Sequence, residues 1–125
     1  MKINIVEREG YSNRLVCRNG NYMAEAPDGR PGFEDEGYLA LFGDDGIFVE
    51  SNMIKLRSLN PAAYAVTQEQ EIGAALQCLS RKEGIPYTMV NFEVFNRNRK
   101  WSDEDVTLLT LLGHCIGNLL NYYSE

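Results

Sequence analysis

With 125 residues the chain has room for one ordinary domain, which buries roughly two-thirds of its unfolded surface, and none for a second. An apolar fraction of 44% with 10% aromatic residues excludes intrinsic disorder and predicts a packed core. Eighteen acidic against twelve basic residues give a formal charge of -6, a field that repels nucleic acid and anionic membrane surfaces, so neither is an expected partner.

Residues 3 to 7 and 14 to 18 are short β-branched or apolar runs around a Gly-Tyr-Ser-Asn turn at 10 to 13, which predicts an opening hairpin. Asn19 and Gly20 supply a further turn, and residues 21 to 25 continue as a third strand. Residues 26 to 37 hold two prolines and three glycines among acids, a composition that suits only a loop. Tyr38, Leu39, Leu41 and Phe42 predict one helical turn ended by Gly43, and residues 47 to 50 a strand. Residues 51 to 66 have no sustained period, but Asn60 can cap a short helix with Pro61 at its first position.

Residues 72 to 79 and 87 to 95 predict a second hairpin around a turn at 80 to 85. In its second strand Met89, Asn91, Glu93 and Phe95 share one face, and Thr88, Val90, Phe92 and Val94 share the other. The second set is more apolar and is expected to face the larger core. Ser102 can cap a closing helix that carries Asp103, Glu104 and Asp105 in its first turn, where the helix dipole favours acids. That helix is predicted to run to about Tyr123. Its apolar stripe is wide, with Leu108, Leu112, Cys115 and Leu119 in one row and Leu109, Ile116, Leu120 and Tyr123 in another. A single sheet face does not need all of it.

Cys17, Cys78 and Cys115 fit neither a disulfide framework nor a zinc pattern and suggest a reducing compartment. The N-terminus lacks a secretory signal and no stretch is long enough to span a bilayer, so a cytoplasmic location is expected. Cys78 and His114 do not form an expected catalytic pair. A buried free cysteine is usually a small hydrophobe, and a lone helical histidine is usually surface or packing. Glu34, Asp35, Glu36, Asp44 and Asp45 lack the spacing of a calcium loop, and Arg97, Arg99 and Lys100 are read as a solvated basic turn. Neither catalytic nor metal-binding residues are expected.

The stretch EVFNRNRKWSDEDVTLLTLLGHCIGNLL, with Arg99, Trp101, Ser102, Asp103, Glu104, Leu108, Leu109 and Ile116, resembles the end of a GAF domain. The likeness is good over about the last fifty residues and looser in the middle, where GIFVESN and LNPAAYAV look like the family's strand and ligand-pocket loop. It implies an α+β, GAF-like (profilin-like) fold. In that fold a mostly antiparallel sheet has the long C-terminal helix on one face and loops and short helices on the other. It also implies a non-catalytic sensory module of a larger, bacterial signalling protein such as a histidine kinase. The family's usual first helix has no counterpart before Ile3, which implies a fragment of a longer chain. For the pocket, the resemblance points to Tyr38, Phe42, Arg57, Asn60 and Tyr64 as ligand contacts. Residues 38 to 70 contain no Cys or His, which argues against a covalently attached tetrapyrrole and leaves the cofactor unknown. The expected partners are a small molecule bound non-covalently and a second copy of the chain, paired through the closing helix. The alternative is a ligand-free dimerisation scaffold.

Overall fold

The computed structural model describes residues 1–7, 13–18, 21–23 and 36–123. Among these residues there are six strands: β1 (Lys2–Glu7), β2 (Asn13–Arg18), β3 (Asn21–Met23), β4 (Ile47–Glu50), β5 (Ile72–Lys82) and β6 (Ile85–Phe95). They form one sheet in the order β3-β2-β1-β6-β5-β4, and every neighbouring pair is antiparallel. The expected opening hairpin is present, with Lys2 opposite Arg18 and Ile3 opposite Cys17. Residues 10 to 12 of the predicted turn, Asn19 and Gly20, residues 24 and 25 of the predicted third strand and residues 26 to 35 of the predicted loop at 26 to 37 lie outside the described residues, while Asn13 already belongs to β2.

The long hairpin is tighter than expected. Polar Ser80, Arg81 and Lys82 suggest a wide turn, yet they stay in the ladder opposite Thr88, Pro86 and Ile85. Glu83 and Gly84 alone reverse the chain, with φ of 54° and 80°. Two left-handed residues match the twist of a two-residue hairpin turn.

Among the described residues four α-helices accompany the sheet: α1 (Glu36–Leu39), α2 (Leu56–Leu59), α3 (Pro61–Glu69) and α4 (Asp103–Tyr123). The first starts two residues before the predicted turn at Tyr38. A 3-10 turn over Met53–Lys55 and α2 occupy a segment where no element is predicted, because single turns are too short to show a period. Burial of Met53 and Leu56 holds them in place. In α3 the Asn60 side chain accepts a hydrogen bond from the Ala63 N–H at 3.1 Å and Pro61 opens the helix, as the sequence predicts.

At the start of α4 the Ser102 hydroxyl accepts from the Asp105 N–H at 3.0 Å, and the Asp105 carboxylate accepts from the Ser102 N–H at 3.3 Å. This reciprocal pair satisfies two backbone donors that the helix cannot bond itself. Asp105 also meets Arg99 at 3.2 Å, and the Arg99 guanidinium lies 4.7 Å from the centre of the Trp101 ring. Trp101 in turn donates its indole N–H to the Glu50 carbonyl at 3.1 Å, tying the helix start to the end of β4.

The sheet is covered on both sides. Thr88, Val90, Phe92 and Val94 do share a face; the three apolar members pack with Ile5, Ala74, Leu76, Cys78 and Trp101 beneath Val106, Leu109, Ile116 and Leu120 of α4. The expectation that this face carries the larger core does not hold. Val6, Phe42, Phe48, Met53, Leu56, Ile72, Ala75, Leu79 and Met89 build a core of comparable size on the other side, where α1 to α3 lie. The arrangement is the α+β layering expected from the sequence. Among the described residues no helix is long and apolar enough to cross a membrane.

Close approach of α4 to β5 depends on two glycines one turn apart. A Cβ at Gly113 would sit 2.6 Å from Cys78 Sγ, and one at Gly117 would sit 2.3 Å from Ser80 Oγ. Gly117→Val is therefore expected to destabilise the domain by about 2 kcal/mol, read from urea unfolding, because overpacking outweighs the small gain in helix propensity.

The helix cap carries a pH dependence. The backbone N–H of Ser102, and after it the Arg99 side chain, hold the Asp105 carboxyl below its usual range. The folded-state pKa is depressed, so the cap's contribution is present above the ordinary aspartate pKa and is lost as pH falls through the folded value. Asp105→Asn should remove that part of the acid limb in a melting-temperature profile against pH, with little further change at alkaline pH.

Candidate functional site

On the face covered by α1 to α3, three strands line up polar side chains. Asn4 in β1 stands opposite Asn91 in β6, and Asn91 stands opposite Gln77 in β5, so three carboxamides form one row across the sheet. One step along, Lys2 stands opposite Glu93. Adjacent strands are about 4.8 Å apart, so these groups are in reach of one another.

The row is deeply buried. Asn4 and Glu93 are 0% exposed and Asn91 is 2% exposed. Asn4 donates through Nδ2 to Glu93 Oε1 at 3.3 Å, which fixes its amide with Oδ1 turned away. Gln77 accepts through Oε1 from the Tyr38 hydroxyl. Asn4 Oδ1 and Asn91 Oδ1 have no hydrogen-bond partner among the described residues. Buried acceptors left unpaired each cost about 1–3 kcal/mol, and folds rarely keep them without a reason. Lys2 carries its ammonium 5.9 Å from the centre of the Phe95 ring.

The five residues expected to contact a ligand do not converge. Tyr38 reaches the row through Gln77, and its ring meets Phe42 edge-on at 5.6 Å. Phe42 is itself a core residue packed 6.0 Å from Phe48. Arg57 projects into solvent from α2, and the Asn60 side chain caps α3. Tyr64 is half-buried and lines a separate groove of about 340 Å³ beside Met53, Gly73 and Arg97. Glu71 and Asn96, with φ of 60° and 58°, line that groove and turn the chain where β5 begins and β6 ends. The Asn96 N–H donates to the Glu71 carbonyl at 2.8 Å, and the polar side chains of the groove are all exposed or half-buried. It is a surface feature without a built polar floor.

Asn4, Gln77, Asn91 and Glu93 are the residues that inspection of the sequence misses. The available signal was polar residues two apart in strands otherwise buried: Lys2 with Asn4, and Asn91 with Glu93.

The opposite face holds no activated nucleophile among its described groups. Burial, and secondarily the charge of Asp45, pushes the Cys78 thiol up to about 12, so it is protonated at neutral pH. His114 does not pair with it and instead places Nε2 3.1 Å from the Asp45 carbonyl. Among the described residues no three His, Cys, Asp or Glu side chains gather as metal ligands; Glu34 and Asp35 lie outside them.

The two asparagines should respond differently to apolar replacement. Asn91→Leu removes an unpaired acceptor and is expected to leave stability unchanged or raise it by up to about 1 kcal/mol. Asn4→Leu strips a donor from a buried carboxylate and is expected to cost roughly 1–3 kcal/mol. Equal losses in chemical unfolding would show that Asn91 is an ordinary structural residue.

No protein-family profile and no curated protein matches the sequence. Among solved structures the chain is similar to the photoproduct state of GAF3 from Slr1393 of Synechocystis sp. PCC6803. The two share 10% identity with a TM-score of 0.54, over 99% of this chain and 87% of that one. At that identity the likeness is one of fold, and the chain is a GAF-like α+β domain.

Proposed function

We propose that this domain is a regulatory sensory module that binds a small molecule non-covalently across the face bearing Asn4, Gln77 and Asn91. In this proposal it relays occupancy to an output domain of a longer, cytoplasmic signalling protein and performs no catalysis itself. The observation that carries the proposal is the pair of buried, unpaired acceptors, Asn4 Oδ1 and Asn91 Oδ1, in a row of three carboxamides. A molecule presenting N–H or O–H donors, admitted by displacement of the short elements that cover the row, would satisfy them, and few precisely placed polar groups in an otherwise apolar lining are the usual make-up of a small-molecule site. The GAF-like fold supports a sensory role in general terms.

The protonated Cys78 thiol supports the non-catalytic part. Tyr38, bonded to Gln77, and Phe42 beside it would flank the ligand, whereas Arg57 faces solvent and the Asn60 side chain caps α3. The absence of Cys and His from residues 38 to 70 keeps the proposed ligand non-covalent.

The test is thermal denaturation with cyclic nucleotides, purines and amino acids. A ligand at a hundredfold excess over its Kd adds about 2.7 kcal/mol, which for a domain of this size raises the melting temperature on the order of 10 °C. Asn91→Leu should abolish the shift while leaving the unliganded protein folded. Absence of a shift across the whole panel would favour the scaffold alternative, and turnover lost in Cys78→Ala would overturn the non-catalytic reading.

A further inference from the structure

The carboxamide row is one-sided in its chemistry. The bond from Asn4 Nδ2 to Glu93 fixes the amide, so the group that Asn4 keeps for another partner is an acceptor, Oδ1. Asn91, directly opposite in β6, also has its Oδ1 unpaired. Two residues along β6 stands the Glu93 carboxylate, 0% exposed. Asn4 and Asn91 therefore offer oxygen, and an occupant must bring N–H or O–H.

Geometry narrows the occupant further. Side chains of directly opposite residues leave an antiparallel pair about 4.5–5.5 Å apart. Two acceptors that share one tetrahedral nitrogen at an ordinary N···O distance of about 2.9 Å stand about 4.7 Å from each other. A single amino nitrogen thus fits between the two asparagines. A carboxylate or phosphate would meet them acceptor against acceptor. The aromatic edge of the face already receives an ammonium, since Lys2, opposite Glu93, carries its Nζ 5.9 Å from the centre of the Phe95 ring.

We propose that the ligand enters this row through a primary ammonium group, its nitrogen bridging Asn4 Oδ1 and Asn91 Oδ1 and its charge facing Glu93. The assignment rests on the small-molecule reading given above and names the part of the ligand that the row recognises. A hydroxyl or a water molecule can bridge the same two oxygens. The ammonium is preferred because hydrogen bonds from an ionised donor are about twice as strong as neutral ones, and because Glu93 supplies a counter-charge on the same face. An anionic head group brings no donor and meets a carboxylate of its own sign.

The test uses benzylamine, benzyl alcohol and benzoate, which share a ring and differ in head group, titrated to millimolar levels into the nitrogen-15-labelled chain. Benzylamine, cationic at neutral pH, should shift the side-chain amide signals of Asn4 and Asn91 to saturation and bind about tenfold more tightly than benzyl alcohol. Benzoate should leave those signals in place. Asn91→Leu should abolish the response at Asn4. Lys2→Met removes the competing ammonium and should tighten benzylamine binding several-fold, a gain that misfolding cannot imitate. Benzyl alcohol binding as tightly as the amine, or benzoate binding in its place, would overturn the ammonium assignment while the small-molecule reading stands. No response at the row from any of the three would also overturn the assignment, and the small-molecule reading falls with it only if the thermal screen is silent as well.

Discussion

The central hairpin has no solvent face, and the rest of the molecule is arranged around that constraint. Seven consecutive residues are buried in each of its strands, 74–80 in β5 and 88–94 in β6. A strand buried on both sides must be covered on both, so a single helix layer is insufficient. α4 supplies one cover and the short elements α1 to α3 supply the other. Each is held by a different device. α4 is set by close packing of Gly113 and Gly117 on β5 and by the Trp101 bond to Glu50, while the short helices are held by individual buried side chains such as Met53 and Leu56.

Within so apolar a sandwich, the carboxamide row is the place where local chemistry disagrees with the global pattern. Met89, Val6 and Leu79 show what that face accepts one step away. A core optimised only for stability would continue that pattern, because each unpaired buried acceptor costs about 1–3 kcal/mol. Such exceptions concentrate at functional sites. The carboxamide row and α4 lie on opposite sides of the same two strands, and β5 alternates between them residue by residue: Gln77 faces the row and Cys78 the helix.

Much of the fold was legible in the sequence. Ser102 and three acids identify the start of α4, because capping and the helix dipole are local effects. The alternation from Thr88 to Phe95 assigns the faces of β6 correctly, since side-chain direction in a strand has a period of two. Asn60 and Pro61 mark α3 for the same local reason. The misses are also physical. α2 and the 3-10 turn are single turns stabilised by tertiary burial, and the turn at Glu83 and Gly84 was obscured by polar residues that the ladder nevertheless retains.

The candidate site was the least legible part. Tyr38, Phe42, Arg57, Asn60 and Tyr64 come from one stretch of sequence, but a segment of short helices turns its side chains in several directions, and only Tyr38 meets the polar row through a hydrogen bond. Asn4 and Asn91 are eighty-seven residues apart and become neighbours only by pairing of β1 with β6. Sequence by itself determined the fold class, the closing helix and its double apolar face, because periodicity and capping act over a few residues. Only the tertiary structure decided which polar groups are buried together and which leucines stay outside, because burial is set by strand order and by which helix side the glycines allow to approach.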